Sequence, residues 1–235
     1  MDFKKLILSI SFLSSLFVLN INAKEISNSQ KVVMLLEKAF TKNQDRSVLK
    51  YVSDKKYIQH NLYAKDQKDG LIAYLDYLST KDIETKVIRV FEDENYVIAQ
   101  TLSREDNTYM HIIDIFRFEN GLIVEHWDNI QTIKNKDLIN GLPTKVLNKN
   151  STKNNKNLIK KYIHDKIIKD NTYIKNHMIL ANGEFVLSVS EIKQSNINYA
   201  LYELFYIENK NIKKVWKIKE KILAKKNWQN NNSKF

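Results

Sequence analysis

At 235 residues the chain has room for one large domain or two of ordinary size. A 43% hydrophobic and 11% aromatic content excludes wholesale disorder; four Gly and one Pro exclude collagen-like and Gly-rich architectures; zero Cys excludes disulfide scaffolds, thiolate metal sites and cysteine nucleophiles. The net charge of +11 raises nucleic acid as a partner, and its distribution argues against it: residues 24–133 hold 15 Lys/Arg against 18 Asp/Glu, residues 134–235 hold 21 against 8, and that basic half contains no Arg for bidentate phosphate or guanine contacts. A solvated Lys-rich surface, or peripheral contact with an anionic envelope surface, accounts for such a half without nucleic acid.

In chain order, residues 1–23 read as a cleaved signal peptide, with an uncleaved N-terminal anchor as the runner-up. Lys4 and Lys5 precede an apolar run from Leu6 to Leu19, and Ile21-Asn22-Ala23 supplies a small residue for cleavage. A periplasmic or secreted location follows as an expectation. The first unit, 24–142, opens with an amphipathic helix whose stripe is Val32, Val33, Leu36, Ala39 and Phe40. A loop with Gln59-His60-Asn61 leads to a helix over Asp69–Thr80. After a turn at Asp93-Glu94-Asn95, alternating β-branched and aromatic residues predict strands over Tyr109–Phe118 and Leu122–Ile130, joined by a hairpin at Glu119-Asn120-Gly121.

Beyond it the chain turns polar, and residues 143–157 read as a linker. Residues 158–226 repeat the first unit at a shift of 89: Asp114-Ile-Phe-Arg-Phe-Glu-Asn falls on Glu203-Leu-Phe-Tyr-Ile-Glu-Asn, and Trp127 falls on Trp216. This second copy starts with a helical stripe (Leu158, Tyr162, Ile163, Ile167) and lacks a counterpart of Tyr57–Thr80. Its polar positions are also replaced: His126 by Val215, Asp128 by Lys217, His111 by Ala200. It reads as a degenerate copy, packed against the first so that Trp127 and Trp216 lie between the halves in a pseudo-dimeric monomer, with a homodimer as the other arrangement. Residues 227–235, rich in Asn, read as a flexible tail.

Strand alternation sorts the polar residues by face. Ile112, Asp114, Phe116 and Phe118 share one face of their strand; Val124, His126, Asp128 and Ile130 share one face of the next. An antiparallel hairpin then brings Asp114 beside His126 or Asp128 among apolar residues, where desolvation raises a carboxyl's pKa into the range of a general acid or base. Glu125 and Arg117, on the opposite face, read as a structural ion pair. No spacing such as His-x-x-x-His occurs, and neither a metal nor a cofactor is expected.

The run Tyr57-Ile-Gln-His-Asn, Asp69-Gly70, Asp114-Ile-Phe-Arg-Phe-Glu-Asn-Gly-Leu-Ile-Val-Glu-His-Trp-Asp128 and Gln131 resembles the SnoaL-like polyketide cyclase family of the nuclear-transport-factor-2-like superfamily, over about residues 30–142. The resemblance implies an α+β cone, helices on a curved antiparallel sheet around an apolar pocket. It implies Asp128 as general base and Asp114 as acidic hydrogen-bond donor, the latter as in the ketosteroid isomerases. Leu62 departs from the Pro that usually follows Gln-His-Asn there. Two functions follow as expectations. One is a cofactor-independent lyase or isomerase on a small carbonyl compound, with Asp128, Asp114 and His126 catalytic and His60, Asn61, Phe116 and Ile130 holding the ligand. The alternative is a non-catalytic module binding a small apolar ligand or a partner.

Overall fold

The computed structural model describes residues 25–235; the signal-like segment lies outside the described residues. Helix α1 (Asn28–Met34) starts at a capping box in which Ser27 and Gln30 exchange side-chain and backbone hydrogen bonds, and it widens into a π-turn over Leu35–Ala39. The short strand β1 (Ile58–Gln59) precedes α2 (Gln67–Ser79), and four long strands follow: β2 (Ile83–Asp93), β3 (Tyr96–Glu105), β4 (Thr108–Glu119) and β5 (Leu122–Ile133). They form one sheet in the order β1-β5-β4-β3-β2, antiparallel except for the β1–β5 pair. Helix α3 (Thr152–Lys169) then leads into β6 (Tyr173–Asn182), β7 (Phe185–Gln194), β8 (Ile197–Glu208) and β9 (Asn211–Lys221), an antiparallel meander. The architecture is α+β.

The repeat holds to the residue at the starts of three strands. Strands β3, β4 and β5 start at residues 96, 108 and 122, and β7, β8 and β9 start at 185, 197 and 211, each 89 later. The sequence pattern missed β2 and β6. In β2 the register slips between Val87 and Arg89, so its alternation is broken at Ile88. Helix α3 begins at Thr152, inside the expected linker; Asn155 is buried there and donates to Gly183 O at 2.8 Å.

Three apolar layers hold the molecule. In the first, α1, its π-turn and α2 cover one face of the first sheet through Val32, Leu36, Leu71, Leu75, Leu78 and Phe118. In the second, the two sheets meet face to face. Ile98, Ile113, Ile115 and Trp127 pack there with Leu187, Ala200, Tyr202, Leu204 and Trp216, both tryptophans 4% exposed. In the third, α3 covers the far face of the second sheet through Ile159 and Ile163 against Val186, Phe205 and Ile207.

A buried cation fastens the connection between the halves. Arg89 of β2 donates to the carbonyls of Ile139, Gly141 and Pro143 and to Gln100 Oε1, with its guanidinium 4.3 Å over the Trp216 ring. Burial lowers its pKa to about 10. Gln100 Oε1 accepts from Arg89, so its amide nitrogen donates to His111 Nε2 at 2.9 Å. Desolvation, with Arg89 nearby, lowers the His111 pKa to about 4.

Residues 227–235 do not fray. The segment lies along the loop after β1, with Asn230, Asn232 and Lys234 all hydrogen-bonded to the first half. Asparagine amides carry two donors each, and here they meet the main-chain carbonyls of Gln59, Asn61 and Ala64 and the Asp66 carboxylate. Local composition suggested disorder; distant acceptors decide otherwise.

Candidate active site

Between the helices and the first sheet lies a cavity of about 380 Å³. Leu35, Leu36, Phe40, Leu71, Leu78 and Met110 line its apolar part. Gly70 lies on its wall because α2 passes close under the preceding loop; a Cβ there would meet Lys65 O at 2.2 Å. The polar end is built by the β4–β5 hairpin. Its turn, Asn120-Gly121, has both residues at positive φ, as a two-residue hairpin requires. The register sets Asp114 opposite Asp128, Phe116 opposite His126 and Ile112 opposite Ile130. A bulge after Arg117 places Ile123, not Val124, opposite Phe118, so the expected face holds only from His126 onward.

Asp114, His126 and Asp128 are each at least 92% buried. Gln59 Oε1 accepts the Asn61 backbone N–H at 2.8 Å, which identifies that atom as oxygen, and lies 3.2 Å from His126 Nδ1. Nδ1 therefore carries a proton. His126 Nε2 faces Asp114 Oδ1 at 3.2 Å, so one proton is shared between imidazole and carboxyl, and Thr101 Oγ1 donates to Asp114 Oδ2 at 3.2 Å. Desolvation raises the Asp114 pKa, against the opposing pull of His126. The His126 ring stacks on Phe116 at 4.5 Å. Asp128 accepts from Asn61 Nδ2 at 2.8 Å through Oδ2, while its Oδ1 is buried with no hydrogen-bond partner. Tyr57 and Tyr74 also face the cavity, and burial raises both phenol pKa values, with Asp128 the next cause, so both remain proton donors.

Asp114, His126, Asp128, Asn61, Phe116 and Ile130 therefore all line one cavity. His60 does not. Alternation along the extended loop turns Gln59 and Asn61 inward and His60 outward. There its ring stacks on Trp127 at 4.5 Å, with Nε2 2.8 Å from Glu125 Oε1 and Nδ1 2.6 Å from Ser233 O. The expected ligand contact from His60 is replaced by a structural one. Arg117 and Glu125 do pair, at 2.6 Å.

Sequence reasoning missed two groups at the site. Glu220 of β9 reaches the cavity wall and accepts the Ile130 N–H at 3.3 Å. Lys234, 3% exposed, donates to Glu220 Oε2 at 2.9 Å and to Asp128 O at 2.8 Å. The period-two pattern of β9 signals Glu220 as semi-buried; no local signal marks Lys234. Ligand-type atoms of Asp114, His126 and Asp128 lie within 4.8 Å of one another, but both His126 nitrogens are engaged in the hydrogen bonds above.

No protein-family model and no curated protein sequence matches the chain. Among solved structures it is similar to wild-type IdmH from Streptomyces antibioticus, described as a candidate polyketide cyclase, at 15% identity and a TM-score of 0.39, covering 45% of this chain and 92% of that one. It is likewise similar to an NTF2-like protein of unknown function from Cytophaga hutchinsonii, at 13% identity and TM-score 0.39, covering 46% and 94%. TsrD from Streptomyces laurentii matches at 16% identity and TM-score 0.36, covering 44% and 85%.

Proposed function

We propose that the cavity carries out cofactor-independent proton transfer on a small, largely apolar carbonyl compound, in the manner of an isomerase or lyase. The observation that carries this reading is the unequal pair of facing carboxyls on the cavity wall: Asp114 shares a proton with His126, whereas Asp128 accepts from Asn61 and has its other oxygen free of hydrogen bonds, 3.9 Å from the Lys234 ammonium. Two neighbouring acids with different surroundings divide into acid and base. Asp128 takes the proton alpha to the carbonyl, and the C–H electron pair forms the enolate. The proton held by Asp114 and His126 stabilises the enolate oxygen, and reprotonation returns the Asp128 proton to carbon. Phe116 and Ile130 pack on the ligand and Asn61 orients the base. The SnoaL-like resemblance of the sequence supports the same assignment.

Deuterium uptake alpha to the carbonyl of 2-tetralone, followed by NMR, is the test. Asp128→Asn is expected to slow exchange by about 100-fold or more while leaving ketone affinity nearly unchanged. Exchange at the unaltered rate would remove Asp128 as the base. One observation favours the second reading, a binding module without turnover: both His126 nitrogens are already bonded. Native mass spectrometry that finds an intact ligand, together with wild-type protein inert towards ketones, would decide for it.

A further inference from the structure

The wall of the cavity's polar end carries Asp114 from β4, Asp128 and His126 from β5, and Glu220 from β9, with the hydroxyls of Tyr57 and Tyr74 beside them. Tyr202 of β8, buried between the sheets, also feels the charges of Asp128 and Glu220. Among the described residues no Lys or Arg lines this cavity. The cation that reaches its polar end arrives from 106 residues away along the chain: Lys234. Its ammonium lies 2.9 Å from Glu220 Oε2, 2.8 Å from Asp128 O and 3.9 Å from Asp128 Oδ1.

The segment that brings it is tied to the loop bearing Gln59 and Asn61. Gln229 N donates to Leu62 O at 3.0 Å, Asn230 Nδ2 to Asn61 O and Ala64 O at 2.8 Å each, and Asn232 Nδ2 to Gln59 O at 3.0 Å and Asp66 Oδ1 at 2.9 Å. Phe235 stacks on His177 of the second half at 3.9 Å. Asp66 Oδ1 also accepts Gln59 N at 2.9 Å, so the strap and the Gln59–His126 chain share an anchor.

We propose that Lys234 is the counter-ion and positioning residue of this site: residues 229–235 thread its ammonium between Asp128 and Glu220, so the first half's cavity is completed by the second half. Two carboxylates facing one low-dielectric space repel each other, and an ammonium hydrogen-bonded to one and fixed beside the other removes that repulsion. The inference extends the proton-transfer reading by explaining what sustains a buried base, but its test does not require turnover.

The test is thermal unfolding of the full chain between pH 5 and pH 8, for Lys234→Met, Lys234→Arg, and Lys234→Met combined with Glu220→Gln or Asp128→Asn. Desolvation already raises the Glu220 pKa against the pull of Lys234, and loss of the ammonium raises it further, so repulsion grows with rising pH. Lys234→Met is expected to lower the melting temperature by roughly 10 °C at pH 8 and by less than half of that at pH 5. Lys234→Arg should recover most of the loss, and Glu220→Gln should at least halve it. If Lys234→Met alone does not fold, recovery of folding by Glu220→Gln becomes the expected result. A loss independent of pH, or one that neither second substitution relieves, would make Lys234 a packing residue and overturn the proposal. Because every readout is a stability, the proposal stands or falls separately from ketone exchange.

Discussion

The two halves share one frame and use its inner face differently. Position for position, Asp114 and Asp128 of the first half become Glu203 and Lys217 of the second, again opposite one another in register. In the second half the pair is closed: Lys217 Nζ lies 2.7 Å from Glu203 Oε1, and Tyr173 donates to Oε2 at 3.0 Å. In the first half two acids face each other and a cation must come from outside the unit. The aromatic beside them follows suit. Phe116 stacks on His126 and lines a cavity, whereas its counterpart Phe205 is filled over by Tyr162 of α3, edge to face at 5.6 Å. With α2 missing from the second copy, its single helix lies directly on the sheet. The first half's carboxyls line a cavity, whereas the second half's carboxyl is neutralised on its own sheet.

The faces that meet between the halves differ too, and the largest expected effect tests that difference. His111 of β4 is 4% exposed in the inter-sheet layer, where the second copy has Ala200. Its folded pKa of about 4 lies below the 6.5 of an ordinary imidazole, so the unfolded chain binds the proton first. Stability is therefore full above about pH 6.5 and is lost as pH falls towards 4, by about 3 kcal/mol from this residue. His111→Gln keeps an acceptor for the Gln100 amide and removes the titration. Urea unfolding at pH 7 and pH 4.5 should show a smaller acid loss in the variant. The raised carboxyls of Asp114 and Glu220 act in the opposite sense, but they are common to both proteins and cancel. Equal acid losses would break the claim that the first half carries the acid sensitivity.

A smaller effect sharpens the other contrast. Glu203 is 1% exposed, and Lys217, about half exposed, is its cation. Lys217→Met should destabilise by about 2 kcal/mol, at the low end for a buried charge losing its partner because water reaches the lysine side. The loss should largely vanish beside Glu203→Gln. A neutral effect of the single substitution would mean that the pair is not the closed equivalent of the first half's site.

How far the sequence reveals all this depends on the range of the interactions. The β4–β5 hairpin is local, so Asn120-Gly121 and strand alternation put Asp114, His126 and Asp128 on one face before any coordinates are seen. The shift of 89 likewise rests on strand-long patterns. His60 was legible by the same alternation rule, applied to the loop rather than to a strand: its neighbours point inward, so it points outward. Arg89 was not, because its partners are carbonyls of the connection that folds back over it. Lys234 was not either. An Asn- and Lys-rich segment is tied down through acceptors as far as 173 residues away, and composition carries no trace of them.

The smallest effect concerns the turns that set both registers. In the first half Asn120 and Gly121 have φ of 50° and 75°; in the second, Asn209 and Lys210 have φ of 51° and 62°. The geometry is the same, but the second copy holds a lysine where the left-handed conformation favours glycine. A side chain there brings Cβ close to a carbonyl oxygen and costs about 1–2 kcal/mol, while glycine in exchange loses more backbone entropy on folding, about 0.5–1 kcal/mol. Lys210→Gly should therefore stabilise the protein by about 0.5–1 kcal/mol, a rise of roughly 2 °C in melting temperature. Gly121→Lys should do the reverse. An added Cβ at Gly121 would lie 3.3 Å from Lys31 Nζ, the movable end of a long side chain, so the backbone conformation supplies most of that loss. Opposite signs at the two turns are the expected result. Matching signs would show that the second hairpin has adapted to its lysine, and that the halves differ in their frame as well as in their inner faces.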